Sequence, residues 1–311
     1  MDMVKYLRQG MTYAAGNLRY EQGAPFNFQM PTLGGKQLWR DDYVFAGWRI
    51  QSNLFSGHFR LLDPDDMRYA WGSYDDCLGV FQKIKTEQEI TPPIDPKEGG
   101  VHLVVMVHGI TRSGDSYAKM KPVFAAQGLE VAAITYPSTR AYIQDHACQL
   151  EQLLYRRPDV VKVSFVTHSM GGLIVRELLG LENKWRADTA LGRVVMIAPP
   201  NQGSMVAEYV KLRTLYQLIY GKSGQELVPD IAQALPVPSC ELAIIAGGKS
   251  DGQGYNPLLE GDDDGVVTVA EAKLFGCDDF IVLPGLHSSM CNQPAVISAA
   301  LNYIQNGKLS S

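Results

Sequence analysis

The chain has 311 residues, of which 46% are hydrophobic and 20% charged, and its formal net charge is -5 at pH 7. That length supports one large domain or two modest ones with a sizeable core, and the balance is ordinary for a soluble globular protein. A mildly acidic chain with no basic run lacks the electrostatic footprint of a nucleic-acid binder, and no stretch approaches the roughly 20 apolar residues that span a bilayer.

The N-terminus, MDMVKYLRQGMTYAAGNLRY, has no continuous apolar segment and is read neither as a signal nor as a transit peptide. A cytoplasmic protein is therefore expected; no feature supports contact with a membrane, and the oligomeric state is not legible. Five widely spaced cysteines without a CxxC pair (Cys77, Cys148, Cys240, Cys277, Cys291) argue for buried free thiols rather than a disulfide framework or a zinc site.

Within the first 95 residues, YVFAGWRIQS places Trp48 and Ile50 on one face and GHFRLLD does the same with Phe59 and Leu61. The intervening NLFSG makes a β-hairpin the economical reading. Trp39, Trp48 and Trp71 are expected to fill a small β core. The segment Glu87–Gly100, EQEITPPIDPKEGG, breaks every periodicity and reads as a linker. The expected organisation is an N-terminal α+β extension over 1–95, of unassigned role, and a second domain over 101–311.

From Val101 the pattern becomes short apolar runs alternating with amphipathic helices. VHLVVMVHG is a strand, SYAKMKPVFAAQG a helix closed by Gly128, and LEVAAITYP a strand. AYIQDHACQLEQLLYRRP is a helix capped by Ser138 or Thr139 and stopped by Pro158. VVKVSFVTH, GRVVMIAPP, CELAIIAGG and DDFIVLPG are further strands, and MGGLIVRELLG, SMVAEYVKLRTLYQLIYG and PAVISAALNYIQNG further helices. Strands apolar on both faces and separated by helices predict an α/β domain, with a mainly parallel sheet covered by helices on both faces.

The run VVKVSFVTHSMGGLIVREL pinches Ser169 between a buried strand and a helix. There its side chain stands above the sheet edge, and the helix N-terminus offers free N–H groups and positive dipole to an oxyanion. T-H-S-M-G matches the nucleophile elbow G-x-S-x-G, except that Thr167 replaces the first glycine. An ordinary helix N-cap is the competing reading of this serine.

A serine hydroxyl needs a base within reach. His58 lies in the hairpin, His102 begins a strand, His146 sits inside a helix, and the side chain of His168 diverges from its neighbour Ser169. His287, in a loop after the last strand, is the expected base, since catalytic groups of open α/β sheets gather at the carboxyl ends of the strands. His108-Gly109-Ile110 after the first strand suits a turn that aims a backbone N–H into the site. Ile110 N–H and Met170 N–H are thus the expected oxyanion donors. The acid that orients the base lies between Ser169 and His287. Asp251, Asp262, Asp263 and Asp264 are the candidates, and Asp264 is preferred because Asp-Gly-Val-Val joins a turn glycine to an apolar anchor. The other acids are expected in a solvated loop, with calcium binding as the lesser alternative; no cofactor is otherwise implied.

Through VVMVHGI, TYPSTR, VTHSMGGLIVREL, IAPPNQGSMVAE, DDDGVVTV and LPGLHSSM, the chain resembles the bacterial lipase and esterase branch of the α/β-hydrolase superfamily from Val101 to its end. The resemblance implies an α/β-hydrolase fold, a Ser169–Asp264–His287 triad, Ile110 and Met170 as oxyanion donors, and a small ester or lipid as substrate. Between Pro200 and Cys240 there is room for a short helical cap only. A thioesterase, amidase or acyltransferase would use the same atoms, and a non-catalytic relative that binds a partner is the rival of another class.

Overall fold

The computed structural model of the protein describes residues 30–32, 36–182, 184–205 and 214–310. The N-terminal stretch read above and residues 206–213 of the expected Ser204–Gly221 helix lie outside the described residues. The chain divides into two compact units, Met1–Pro92 and Pro93–Ser311.

In the first unit, β1 (Met30–Pro31), β2 (Trp39–Phe45), β3 (Trp48–Asn53), β4 (Phe59–Leu62) and β5 (Met67–Gly72) form one sheet in the order β1-β5-β4-β3-β2. Every pairing in it is antiparallel. The single run expected over Tyr43–Ser52 is two strands, because Ala46 and Gly47 both adopt positive φ (47° and 85°) and close a two-residue hairpin loop. Helix α1 (Tyr74–Glu87) is capped reciprocally by Ser73 and Asp76. It buries Cys77, Phe81 and Ile84 with Tyr43, Phe45, Trp48, Ile50, Leu61 and Ala70 of the sheet. Trp48 thus fills the core as expected. Trp39 is buried as well, but outside that cluster: it meets the half-buried Trp71 edge-on, centroids 5.8 Å apart, with the Arg60 guanidinium 3.8 Å above it.

In the second unit, β6 (Val101–Val107), β7 (Glu130–Ile134), β8 (Val160–His168), β9 (Ala190–Ile197), β10 (Leu242–Gly248) and β11 (Asp279–Pro284) form a sheet in the order β11-β10-β9-β8-β6-β7. All five pairings are parallel. Strands β6 and β10 are buried at every position, as a sheet covered on both faces requires. Helices α2 (Met120–Ala125) and α8 (Pro294–Asn306) bury Phe124, Val296 and Tyr303 against Val104, Met106, Val166 and Val195. Helices α3 (Ile143–Tyr155) and α4 (Met170–Gly180) pack on each other, α4 against β8. Short helices α5 (Thr214–Gln225), α6 (Pro229–Ala234) and α7 (Val269–Ala272) complete the unit among the described residues.

Two helix starts differ from expectation. The helix expected from Ser116 begins as a 3-10 turn, Gly114–Tyr117, and α2 starts at Met120. Pro122 then falls in its first turn, where a missing N–H costs no ladder bond. Helix α3 begins at Ile143 instead of beside Ser138 or Thr139; the Asp145 carboxylate accepts the Tyr142 N–H (2.9 Å) and Glu226 accepts the Ile143 N–H (2.6 Å). The thiols expected to be buried are so at Cys77 and Cys291; Cys148, Cys240 and Cys277 are half-buried, and all five are free.

The sheet order places a topological switch point between β6 and β8. The chain leaves β6 toward β7 on one side and returns to β8 on the other, which opens a crevice above their carboxyl ends. His108 follows one of these strands and Ser169 the other, with Val107 and Thr167 paired in register.

Candidate active site

Ser169 occupies the joint between β8 and α4 with φ 54° and ψ -127°, a backbone region that costs a side-chain-bearing residue about 1–3 kcal/mol. Its side chain makes no cap hydrogen bond, so the N-cap reading of this serine does not hold. Its N–H donates to Ile197 O (2.9 Å) and its carbonyl accepts the Gly172 N–H (2.9 Å). The turn is tight because two glycines permit it. A Cβ on Gly171 would stand 2.2 Å from Val107 O, and one on Gly109 would stand 2.9 Å from the Ser169 Cβ. Gly109 therefore brings the loop after β6 directly against the serine.

That loop is fixed on several sides. His108 lies flat on Tyr136, centroids 4.1 Å apart, and the Tyr136 hydroxyl donates to the His108 carbonyl. His108 Nδ1 lies 2.8 Å from Gly109 O; a carbonyl only accepts, so Nδ1 carries the proton. Complete burial pulls the pKa of this imidazole down to about 3, and it stays neutral. Thr111 N–H donates to the buried Ser138 Oγ at 2.9 Å. Ser138, expected as a helix cap, holds this loop instead. Ile110 stands in the turn closed by Arg112 N–H to Gly109 O (3.2 Å). Met170 is the first residue of α4, and its N–H has no place in the helix ladder.

His287 follows β11 and opens a 3-10 turn, His287–Asn292. Its Nδ1 lies 2.7 Å from Asp264 Oδ2, and its backbone N–H donates to Asp264 O at 2.8 Å. Asp264 is fully buried as a side chain, while His287 keeps 12% exposure. The other oxygen, Asp264 Oδ1, accepts the N–H groups of Val266 (3.0 Å) and Val267 (2.8 Å). The carboxylate thus finds three donors, and it fixes the tautomer of His287 with the proton on Nδ1 and a lone pair on Nε2. Of the sequence-derived residues, Asp264 and His287 meet directly. Ser169 comes near them through its neighbour, the His168 ring lying 4.8 Å from the His287 ring. No hydrogen bond joins Ser169 Oγ to His287 among the described residues, a looseness common before substrate is bound.

The other acids spend their oxygens on backbone. Asp251 accepts the N–H groups of Gln253 and Gly254, and Asp262 those of Lys249 and Ser250. Asp263, expected in a solvated loop, is fully buried and accepts the N–H groups of Asn256 and Gly265. The triplet folds its own loop, because a short carboxylate satisfies the N–H groups that irregular backbone leaves unpaired.

A second Asp–His–Ser arrangement lies lower in the sheet: His102 Nδ1 is 3.2 Å from Asp95 Oδ2 and Nε2 is 2.9 Å from Ser164 Oγ. Ser164 is wholly buried and also accepts the Arg193 N–H (3.1 Å). A Cβ on Gly192 would stand 2.3 Å from its Oγ, so no carbonyl carbon reaches it. Asp95, Glu98 and His102 bring donor atoms within 4.8 Å of one another, but Glu98 pairs with Lys162 at 2.6 Å and both nitrogens of His102 are engaged. This group anchors the end of the expected linker to the sheet.

The α/β-hydrolase fold is shared with solved structures. The chain is similar to the mature form of Bacillus licheniformis lipase BlEst2, with 20% identity over 67% of this chain and 90% of that one, and a TM-score of 0.50. It is similar also to Legionella pneumophila phospholipase PlaB in complex with thio-NAD, with 22% identity over 65% of this chain and 55% of that one, and a TM-score of 0.50. No curated protein sequence matches the chain significantly. A family model described as "Domain of unknown function (DUF7379)" matches residues 76–239, just over half of the chain, which takes in Ile110, Ser169 and Met170 but not Asp264 or His287.

Proposed function

The chain belongs to the family described as DUF7379, a description that assigns no chemistry, and we propose from its site that it is a serine hydrolase cleaving carboxylic esters. The observation that carries this reading is the Asp264–His287 pair, joined through side chain and backbone, above the switch point where Ser169 holds a strained turn. The names of the lipase and the phospholipase to which it is similar in fold accord with an ester or lipid substrate.

In this reading His287 Nε2 takes the Ser169 proton as Oγ attacks the ester carbonyl carbon. The oxyanion is held by the N–H groups of Ile110 and Met170, and loss of one such donor costs on the order of 100- to 1000-fold in rate. The tetrahedral species collapses, the carbon–oxygen bond to the alcohol breaks, and His287 returns its proton to that alcohol. Water, deprotonated by His287, then attacks the acyl carbon; the bond to Ser169 Oγ breaks, His287 returns the proton to that oxygen, and the acid leaves. Asp264 stabilises the imidazolium in both halves without taking the proton. We assign this chemistry to the domain over 101–311 and none to residues 1–95.

Labelling by a fluorophosphonate probe is the direct test. Wild-type protein should be labelled and Ser169→Ala should not; folded wild-type protein that resists the probe overturns the reading. With p-nitrophenyl butyrate, Asp264→Asn should lower turnover by about 10⁴-fold. Asp251→Asn should leave it within about twofold, since that carboxylate only orders its own exposed loop.

A further inference from the structure

The His287 loop leaves the edge strand β11 and must reach Ser169 at the end of β8, three strand spacings or roughly 14 Å away. Asp264 holds it from the loop after β10; a different contact holds it at the serine. His168 Nε2 lies 3.0 Å from the carbonyl oxygen of His287. Since that oxygen only accepts, Nε2 carries the proton and Nδ1 the lone pair. Nδ1 is buried with no hydrogen-bond partner among the described residues and lies against Gly109, where a Cβ would come within 3.2 Å of it. The ring is wedged between the loop of the expected oxyanion donor and the loop of the base.

We propose that His168 is a positioning residue of the reaction, its Nε2–H holding the His287 carbonyl so that the base is tied to the strand that carries the nucleophile. The assignment rests on the Ser169–His287 reading above. With Asp264 accepting the His287 N–H and His168 donating to its C=O, both backbone polar groups of the base are engaged. The neighbours of His168 also keep it neutral. Burial first, then His287, Arg112 and His108, hold its pKa well below the usual histidine range, against the opposing bond to the His287 carbonyl. A second N–H on Nδ1 would be a donor without an acceptor in a dry site. When His287 takes the proton of Ser169, the ring 4.8 Å away therefore adds no repulsion.

The test is a series in the full chain: His168→Phe, which keeps a ring without a donor; His168→Gln, whose amide N–H reaches the place of Nε2; and His168→Asn, which is too short. For Phe and Asn, the fluorophosphonate labelling rate of Ser169 and kcat for p-nitrophenyl butyrate should fall about 10- to 100-fold, the scale of a base displaced by about an ångström. KM should stay within about twofold, and Gln should recover most of the rate. A Phe variant as fast as wild type with a slow Gln variant would mean that the ring matters only as packing, and overturns the assignment. If the variants do not fold, ¹⁵N-histidine NMR of the wild-type protein decides: His168 should hold the neutral Nε2–H tautomer from pH 8 to 6, and an Nδ1–H tautomer or a protonated ring in that range refutes it. Failure here is distinct from failure of the hydrolase reading, which would show as turnover and labelling that survive Ser169→Ala.

Discussion

Thr167 is the residue at which the elbow departs from its glycine pattern, and the structure accounts for it. Its side chain is fully buried between Val107 and Met196, and it stands beside Gly172, where a Cβ would meet Pro199 Cβ at 3.2 Å and Thr167 Oγ1 at 3.4 Å. The bulk at the first position of the pattern is taken up inside the sheet, where Thr167 is wholly buried. The hydroxyl itself has no hydrogen-bond partner among the described residues, and a buried unsatisfied group of this kind costs about 1–3 kcal/mol. Thr167→Val keeps the shape and removes the cost, so it should stabilise the protein by about 1 kcal/mol, or roughly 2–4 °C in Tm for a unit of this size, with ester turnover unchanged. Thr167→Gly restores the elbow pattern but opens a cavity in a central strand and should lower Tm. A Tm of the Val variant at or below wild type would show that the hydroxyl is needed.

At the scale of elements, α4 is held by a buried cation whose partners among the described residues are carbonyl oxygens. Arg176 donates Nε–H to Pro236 O (3.0 Å), Nη1–H to Asn201 O (3.0 Å) and Nη2–H to Leu235 O (2.6 Å), and burial pulls its pKa down to about 10. It clamps the helix behind Ser169 to the loop after β9 and to the segment after α6. Arg176→Met strands three carbonyls and should cost about 3 kcal/mol; Arg176→Lys should not rescue it, because one ammonium does not reproduce the fork. A thermal scan of Arg176→Met within 1 °C of wild type would contradict this clamp. Periodicity made α4 and its start at Met170 legible, as it did the alternation from Val101 onward, because burial on both faces leaves an unbroken apolar run. The clamp was not legible, since Arg176 on a helix reads as a solvated charge until the loops that cover it are known. Asp263 went unread for the same reason: DDDG reads as a wet loop, yet its carboxylate is drawn inside by the N–H groups of Asn256 and Gly265. The tie between His168 and His287 spans 119 positions and leaves no local signal beyond the histidine itself.

For the molecule as a whole, the Pro93–Ser311 unit keeps three histidines neutral by burial: His102 and His168, with pKa values held below the usual range, and His108, held at about 3. In the unfolded chain each titrates near 6.5. Between that value and its folded pKa each is protonated unfolded and neutral folded, so the unfolded state binds more protons and stability rises with pH. The contribution is complete above pH 6.5 and is lost as pH falls below it. Glu226 acts in the reverse direction, its half-buried carboxyl shifted up by desolvation, but it is one group against three. Urea unfolding should therefore lose stability as pH falls below 6.5, by up to about 1.4 kcal/mol per pH unit for each of the three histidines. His168→Gln cannot take up its proton in either state, so its slope should be shallower than that of wild type by one proton, about 1.4 kcal/mol per pH unit. Equal slopes for the two proteins would mean that His168 titrates alike folded and unfolded, and that its burial does not hold it neutral.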